Sequence, residues 1–249
     1  MLERRPVMKA ILVRIGIDHA YGAWNAPVHP VTGRFVYVPI PDGSKKTYSP
    51  GNAHGFDEIA APLAKFAELY VARDLDYPVA LRQRYMHLDP DFDYLTYGDN
   101  GMRRGARIAT LGPNDLVVFY AGLRSILDPN ELVYGLIGLF VVEEIVRAID
   151  VPVRRRHENA HTRWTTISAN DVIVRGRSRV SGRLDRCIPI GEWRDKAYRV
   201  CRPIEDAWGG LTVKNGYIQR SAVPPVFRDA KRFYHWFEQQ GVTLLRRNN

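Results

Sequence analysis

Two stretches near the middle of the chain decide its fold: Leu111-Gly-Pro-Asn-Asp-Leu-Val-Val-Phe-Tyr-Ala-Gly-Leu-Arg124 and Tyr134-Gly-Leu-Ile-Gly-Leu-Phe-Val-Val-Glu-Glu144. The first begins with a turn sequence at residues 112–115, because proline fixes its own φ and Asn or Asp side chains bond the bend. Two apolar runs follow, Leu116 to Tyr120 and Val133 to Val142, and both predict buried strands. Glycines inside the second run predict a bulge or a close approach to the backbone.

The flanking sequence predicts further strands and two helices. Strands are expected at Lys9 to Ile17, at Arg34 to Ile40 and at Asp171 to Arg175. Apolar residues recur at helical spacing in Phe56 to Leu69 and in Val226 to Gln240, whereas residues 187–215 predict irregular chain rich in Pro and Gly. We therefore predict a single α+β domain over residues 1–249, with a β-barrel core and surrounding helices.

Composition excludes several classes of protein. No run of eighteen apolar residues is present in the sequence, so a membrane-spanning helix is not expected. The N-terminal residues lack the apolar core of a secretory signal. Cys187 and Cys201 are the only cysteines, which is too few for a disulfide scaffold or a four-cysteine zinc site. A cytoplasmic protein without a membrane partner is the expectation.

The positive charge of the chain is unevenly distributed. The formal net charge is +9, and between residues 151 and 186 nine arginines face three acidic residues, a net +6. The guanidinium group binds phosphate through two parallel hydrogen bonds, so this segment is typical of a nucleic-acid-binding surface. A solvated basic face is the alternative. The residues expected to contact phosphate are Arg154, Arg155, Arg156 and Arg163.

The segment His157-Glu-Asn-Ala-His161 matches the zinc-protease pattern H-E-x-x-H. Its context disfavours a protease, because three arginines precede it, Arg163 and Trp164 follow it, and no third ligand is marked downstream. We therefore interpret His161 as a base-contacting residue and assign no metal. The sequence contains neither G-x-G-x-x-G nor the phosphate-binding P-loop pattern, and we assign no cofactor.

Several acidic and aromatic residues are candidates for a base-binding pocket. Asp18, His19, Tyr21 and Trp24 lie in one loop, where aromatic rings stack on a base and Asp or His bond its edge. The alternative is a loop with a capping Asp and packed aromatic side chains. Asp42, Asp89 and Asp91 are candidates for acid–base catalysis or for a Mg²⁺ site. The alternative is that each is a turn residue, since Pro-Asp-Gly and Asp-Pro-Asp are both turn sequences.

The central hairpin resembles the barrel strands of PUA-like domains (the EVE, ASCH and YTH groups), which hold a nucleobase beside such strands. Taken in order, the segments resemble the third nucleotide modification associated domain family. The matching segments are Val13-Arg-Ile-Gly-Ile-Asp18 with Tyr21-Gly22, Val38-Pro-Ile-Pro-Asp42, His87-Leu-Asp-Pro-Asp91, Gly112 to Tyr120 with Arg124, Tyr134 to Gly138, His161 and Asn170 to Val174. The loop at 18–24 and the stretch 98–107 depart from the family pattern.

The resemblance implies a PUA-like core over roughly residues 9–180, with a C-terminal extension, 187–249, packed on it. It also implies a role in phage or bacterial systems that make, read or remove modified bases. Three hypotheses follow: a reader of a modified base in nucleic acid (DNA more than RNA), an enzyme on such a base (glycosylase, hydrolase or transferase), or a partner subunit of a base-modification operon. Catalysis would use Asp18 with Asp42 or Asp89. The base would be bound by His19, Tyr21, Trp24, Tyr120, Arg124 and His161.

Overall fold

A computed structural model describes residues 7–43, 46–72, 75–102, 104–220 and 223–249 of the chain. Its strands are β1 (Ala10–Arg14), β2 (Pro27–Val28), β3 (Ile40–Pro41), β4 (Met86–His87), β5 (Thr96–Asn100), β6 (Leu116–Ser125), β7 (Leu132–Arg147), β8 (Asp171–Gly176), β9 (Gly182–Pro189), β10 (Gly191–Arg194), β11 (Ala197–Val200) and β12 (Leu244–Leu245). Its α-helices are α1 (Ala60–Tyr70), α2 (Ala160–Arg163), α3 (Arg202–Ala207) and α4 (Ala230–Glu238).

The predicted hairpin is the centre of a large mixed sheet. Among the described residues, eight strands join in the path β1-β6-β7-β8-β5, with β2 beside β6, β9 beside β7 and β12 beside β9. β1 runs parallel to β6, whereas β6 and β7 pair antiparallel. The long strand β7 changes partner along its length, pairing with β6 up to Val141 and with β8 from Val142 onward. Its register shifts beside Gly138, as the glycines in this run predicted.

The sheet does not close into a barrel, so that part of the fold prediction is wrong. In the described part of the chain, the end strands β1 and β5 do not pair with each other. The outer edge of β1 is instead covered by a later segment: Leu12 donates to the Pro225 carbonyl at 2.8 Å, and Phe227 donates to the Ala10 carbonyl at 3.0 Å. These backbone bonds satisfy the edge without barrel closure.

Both faces of the central strands are buried, which explains their continuous apolar sequence. Val117 and Phe119 of β6 face a core that also contains Leu63 and Phe66 of α1. Their neighbours on β6 face a second core, built with residues of the C-terminal part of the chain: Trp208, Leu211, Ile218, Phe227, Phe233 and Phe237. Alternation along β6 therefore joins two hydrophobic cores across one sheet.

The helix predicted at 56–69 is confirmed as a short 3₁₀ turn followed by α1, and the helix at 226–240 is confirmed as α4. The strand predicted over Arg34 to Ile40 is wrong, because only Ile40–Pro41 pairs as a strand there. The irregular chain predicted at 187–215 is also wrong, because β10, β11 and α3 lie in it. Short elements of this kind carry too few residues for a periodic signal.

Two asparagines at positions 248 and 249 hold loops far from them in sequence. The Asn249 side chain accepts from the Tyr37 backbone amide and donates to its carbonyl, both at 2.9 Å. The Asn248 side chain accepts from the Phe92 amide at 2.9 Å and donates to Asp91 at 3.0 Å. The bonds of Asn248 fix the loop between β4 and β5, and those of Asn249 fix the chain between β2 and β3. No helix in the described residues is long and apolar enough to cross a membrane.

Candidate functional site

A cavity of about 690 Å³ lies beside the central sheet. Its walls come from the loop after β1, from β3, from the β4–β5 segment and from α2. The volume lies within the range of pockets that enclose small organic ligands. The aspartates and histidines that line it are Asp18, His87, Asp89, Asp99 and His161. Elements distant in sequence therefore bring polar groups together in one pocket.

Asp89 is held rigidly in the wall of the cavity. One of its oxygens, Oδ1, accepts from the Gly98 backbone amide and from Asn159 Nδ2, each at 2.9 Å. The other oxygen, Oδ2, also accepts from the Gly98 amide at 3.1 Å, and it faces His87 and His161. Burial raises the pKa of Asp89 to about 6, although His161 and His87 oppose that shift. A carboxyl with such a pKa gains and loses its proton near neutral pH.

His161 is the next side chain in the cavity, and its position depends on Gly98. A Cβ on residue 98 would lie 2.5 Å from the His161 ring, so only glycine lets the ring rest against β5. His161 Nδ1 lies 2.6 Å from Asp171 Oδ2, and its Nε2 lies 3.7 Å from Asp89 Oδ2. Burial alone would lower the pKa of His161, but the bond to Asp171 and the charge of Asp89 raise it above its usual value.

His87 stands on the other side of Asp89. It ends β4, and because side chains alternate along an extended chain, His87 and Asp89 point to the same side. His87 Nε2 lies 3.9 Å from Asp89 Oδ2, and its Nδ1 lies 3.7 Å from Asp42 Oδ1. Neither distance is a hydrogen bond. Among the described residues, the buried His87 Nδ1 has no hydrogen-bond partner.

Asp42 lies behind His87 and does not line the cavity. It accepts from Tyr48 and from Trp164 Nε1, the latter at 2.9 Å, while the Trp164 ring stacks on His87. Burial alone would raise the pKa of Asp42, but His87, Tyr48 and Trp164 outweigh it and lower the pKa well below its usual range. Asp42 therefore carries a stable negative charge behind the His87 ring.

Asp18 and Tyr21 form the part of the wall contributed by the first loop. Asp18 accepts from the backbone amides of Ala20 and Tyr21, each at 2.8 Å, and pairs with Arg14 at 2.8 Å. Asp18 is thus both a capping residue of its loop and a cavity residue, so the two interpretations from sequence coexist. The Tyr21 ring is 61% exposed at the cavity, where it is accessible to a flat ligand.

The other residues predicted to bind a base are not brought to the cavity. His19 and Trp24 belong to the same loop but do not line it. Tyr120 is fully buried in the second core, where its hydroxyl donates to the Ile218 carbonyl at 2.8 Å. Arg124 lies near the other end of β6 and donates to the Pro129 carbonyl. All four are residue types that can bind a base, but none of them lies on the cavity wall. Tyr120 and Arg124 are directed away from the cavity by their positions on β6.

The H-E-x-x-H segment does not form the helix that a zinc protease needs. A 3₁₀ helix ends at Glu158, and Asn159 is extended (φ −147°, ψ 145°) before α2 begins. His157 packs edge-on against Tyr94, whereas His161 lies in the cavity. The two histidines therefore do not share one helical face.

The arginine-rich segment is partly internal. Arg163 is 1% exposed and pairs with Asp91, so the interpretation of Arg163 as a phosphate-binding residue does not agree with its position. Arg175 and Arg183 are also buried. Arg154 is exposed, and Arg155 is half-buried and pairs with Glu158. Arg156 is half-buried as well. The surface of this segment therefore carries less positive charge than the number of its arginines suggests.

Sequence reasoning missed four cavity residues of importance: Arg14, His87, Asp99 and Arg220. A signal existed for His87, because it begins the family-like segment His87-Leu-Asp-Pro-Asp91 and stands two residues before Asp89. No local pattern marks the other three. Tyr97 donates to Asp99 Oδ2 at 3.0 Å, and exposed Arg220 lies at the cavity mouth from beyond β11.

Comparisons with known proteins give one match. The family model described as nucleotide modification associated domain 3 matches residues 9–202, well over half of the chain. That range contains Asp18, Asp89 and His161 but not Arg220. No curated protein and no solved structure matches.

Proposed function

Because this chain belongs to the nucleotide modification associated domain 3 family, we propose that it binds a modified nucleobase of nucleic acid, DNA more than RNA, in the cavity around Asp89. The observation that carries the proposal is the convergence of Asp18, His87, Asp89 and His161 on one cavity of about 690 Å³. A base taken out of a helix is bound by such a pocket through hydrogen bonds to its edge and stacking on its face.

The chemistry of the cavity wall supports a nucleotide as the ligand. Tyr21 offers an exposed ring on which a base can stack, and the carboxylates and imidazoles accept and donate hydrogen bonds to its edge. Exposed Arg220 also lines the cavity and supplies positive charge for a phosphate of the flipped nucleotide, whereas Arg14, on the same wall, is paired with Asp18. Exposed Arg154 is a further candidate for contact with the backbone.

A second candidate function is catalysis on such a base. Asp89, with a pKa raised to about 6 by burial, is flanked by two histidines and opens to the same cavity. Such a group can transfer a proton to or from a bound base near neutral pH. Asp18 and Asp99 are the other carboxyl groups on the wall. Recognition of a base requires only a pocket that binds it. A carboxyl that exchanges a proton near neutral pH, such as Asp89, favours a reaction in addition.

The test is retention of DNA combined with nucleoside mass spectrometry. The purified protein is incubated with unmodified DNA and with DNA from hypermodified phage genomes, and bound and free nucleosides are compared. Selective retention without a mass change supports a reader, and a changed nucleoside or a released base supports an enzyme. Equal retention of both DNAs with no product contradicts both.

Variants assign the activity to the cavity. Tyr21→Ala is expected to weaken selective retention about 5- to 150-fold, since stacking on an aromatic ring contributes about 1–3 kcal/mol per base. Arg220→Ala should weaken binding to modified and unmodified DNA alike, because a phosphate contact does not distinguish bases. Arg82→Ala is the matched control, because Arg82 is exposed, pairs with Asp76 and lies outside the cavity. Equal retention by Tyr21→Ala and Arg82→Ala would place the base elsewhere.

A further inference from the structure

We propose that His87, Asp89 and His161 bind a divalent transition-metal ion, Zn²⁺ or Fe²⁺, in the wall of this cavity. The inference rests on the proposed base-binding function and deepens it, because it assigns an inorganic component to the same site; with the ion bound, Asp89 would be a ligand and would not act as a proton carrier. Metal binding can nevertheless be measured without nucleic acid, so the two proposals fail independently.

The three donor groups are arranged around a common point. Asp89 Oδ2 lies 3.9 Å from His87 Nε2 and 3.7 Å from His161 Nε2, and one ligand atom from each residue lies within 4.8 Å of the others. These separations are too long for hydrogen bonds. An ion bound about 2.0–2.2 Å from each atom requires only small rotations of the side chains. The three groups therefore face one another at a spacing that a cation can bridge.

Each imidazole also has a carboxylate at its other nitrogen. His161 Nδ1 is bonded to Asp171 at 2.6 Å, which directs the lone pair of Nε2 toward Asp89. His87 Nδ1 lies 3.7 Å from Asp42, and it is buried with no hydrogen-bond partner among the described residues. Metal-binding histidines characteristically donate this second N–H to a carboxylate, which fixes the ring and strengthens the donor. The presence of a carboxylate behind each imidazole is an observation separate from the distances among the three donor atoms.

The surroundings of the site favour a cation. Asp89 uses Oδ1 for Gly98 and Asn159, so its carboxylate is oriented before a ligand arrives. Asp42 and Asp171 add negative charge behind the histidines, and the cation Arg14, which also lines the cavity, is paired with Asp18. The net environment of the three donors is therefore anionic.

The donor set selects the class of metal. Two imidazoles with one carboxylate suit Zn²⁺ or Fe²⁺, whereas Mg²⁺ and Ca²⁺ prefer oxygen ligands alone. Three protein ligands leave coordination positions open, and all three residues line the cavity. A water molecule or an oxygen of the bound base can take an open position, where the ion would polarise it.

The experiment is metal titration of the untagged protein after removal of metals by chelation. Co²⁺ is added as a spectroscopic probe, Zn²⁺ and anaerobic Fe²⁺ are added in separate arms, and bound metal is measured by mass spectrometry. We expect one equivalent per chain. We expect at least tenfold weaker binding in His87→Gln, Asp89→Asn and His161→Gln, with thermal unfolding recorded to verify folding. The Asp171→Asn variant should retain the stoichiometry and lose about 10- to 100-fold in affinity.

The control is His157→Gln, which removes the other histidine of the H-E-x-x-H segment and should bind as wild type. X-ray absorption of the Zn²⁺ form is independent of any variant and should show two imidazoles with oxygen ligands. Absence of binding by 100 μM metal would overturn the inference, as would an affinity of His161→Gln equal to that of His157→Gln. Selective retention of modified DNA by metal-free protein would leave the proposed function standing without the ion.

Discussion

The buried ion pair between Arg163 and Asp91 allows a decisive test of whether this arginine supports the fold or contacts nucleic acid. Each side chain is 1% exposed, and Arg163 Nε also donates to the His157 carbonyl at 2.8 Å. The perturbation is Arg163→Met, which keeps an apolar stem and removes the charge. It leaves the Asp91 carboxylate buried without its cation.

The expected cost is large because the pair is fully enclosed. Removing one partner of a buried ion pair destabilises a protein by about 3–5 kcal/mol. For a chain of this size, each kcal/mol lowers Tm by about 2–4 °C, so a loss of about 6–20 °C is expected. Asp91→Asn combined with Arg163→Met should recover part of this loss, since the uncompensated charge is then absent.

Urea unfolding followed by tryptophan fluorescence measures the effect. The matched control is Arg154→Met, an exposed arginine of the same segment, which should change the unfolding free energy by no more than about 0.5 kcal/mol. If Arg163→Met has the wild-type urea midpoint and loses affinity for DNA instead, the structural role of Arg163 is refuted.

Three further predictions follow from other parts of the structure. Gly98→Ala should displace the His161 ring and destabilise the protein by about 1–3 kcal/mol, because the added Cβ would lie 2.5 Å from that ring; an unchanged crystal position of the ring would contradict this. Two arginines lower the pKa of Glu158, so Glu158→Gln should lower the unfolding free energy at pH 7. The loss should shrink as the pH falls through that lowered pKa, because the wild-type carboxylate is then protonated as well. A loss of stability that calorimetry finds independent of pH would refute this linkage. Burial raises the pKa of Cys187 to about 12, so iodoacetamide at pH 8 should label the partly exposed Cys201 first in the native protein, as peptide mass spectrometry can verify.

Much of the architecture could be predicted because its signals are long. The apolar run Leu116 to Tyr120 and the glycine-containing run after it identified β6 and β7, and helical spacing identified α1 and α4. Barrel closure could not be predicted, because it depends on whether β1 meets β5 or a later segment. The segment that covers β1 is held by contacts between residues more than two hundred positions apart in sequence, such as Leu12 with Pro225.

The candidate site was predicted in part. Asp18, Tyr21, Asp89 and His161 were named from residue type and line the cavity. Tyr120 was misplaced because an aromatic residue on a buried strand has the same composition whichever core it faces. The arginines show the same limit of sequence-based prediction. Arg154 and Arg163 are the same residue type in one basic segment, but only Arg163 is buried. Burial is a property of the assembled chain and has no local signature at these positions.

The bonds made by Asn248 and Asn249 have a consequence for how the protein is produced. Both residues lie beyond the family-matched range, yet they bind the loop next to Asp89 and the chain at Tyr37. During synthesis, the loop that carries Asp91 leaves the ribosome more than 150 residues before Asn248 does. Contacts between such distant residues form late in folding. The loop next to Asp89 therefore gains these bonds only after residue 248 has been synthesised, and a nascent chain that has not reached it holds that loop without them.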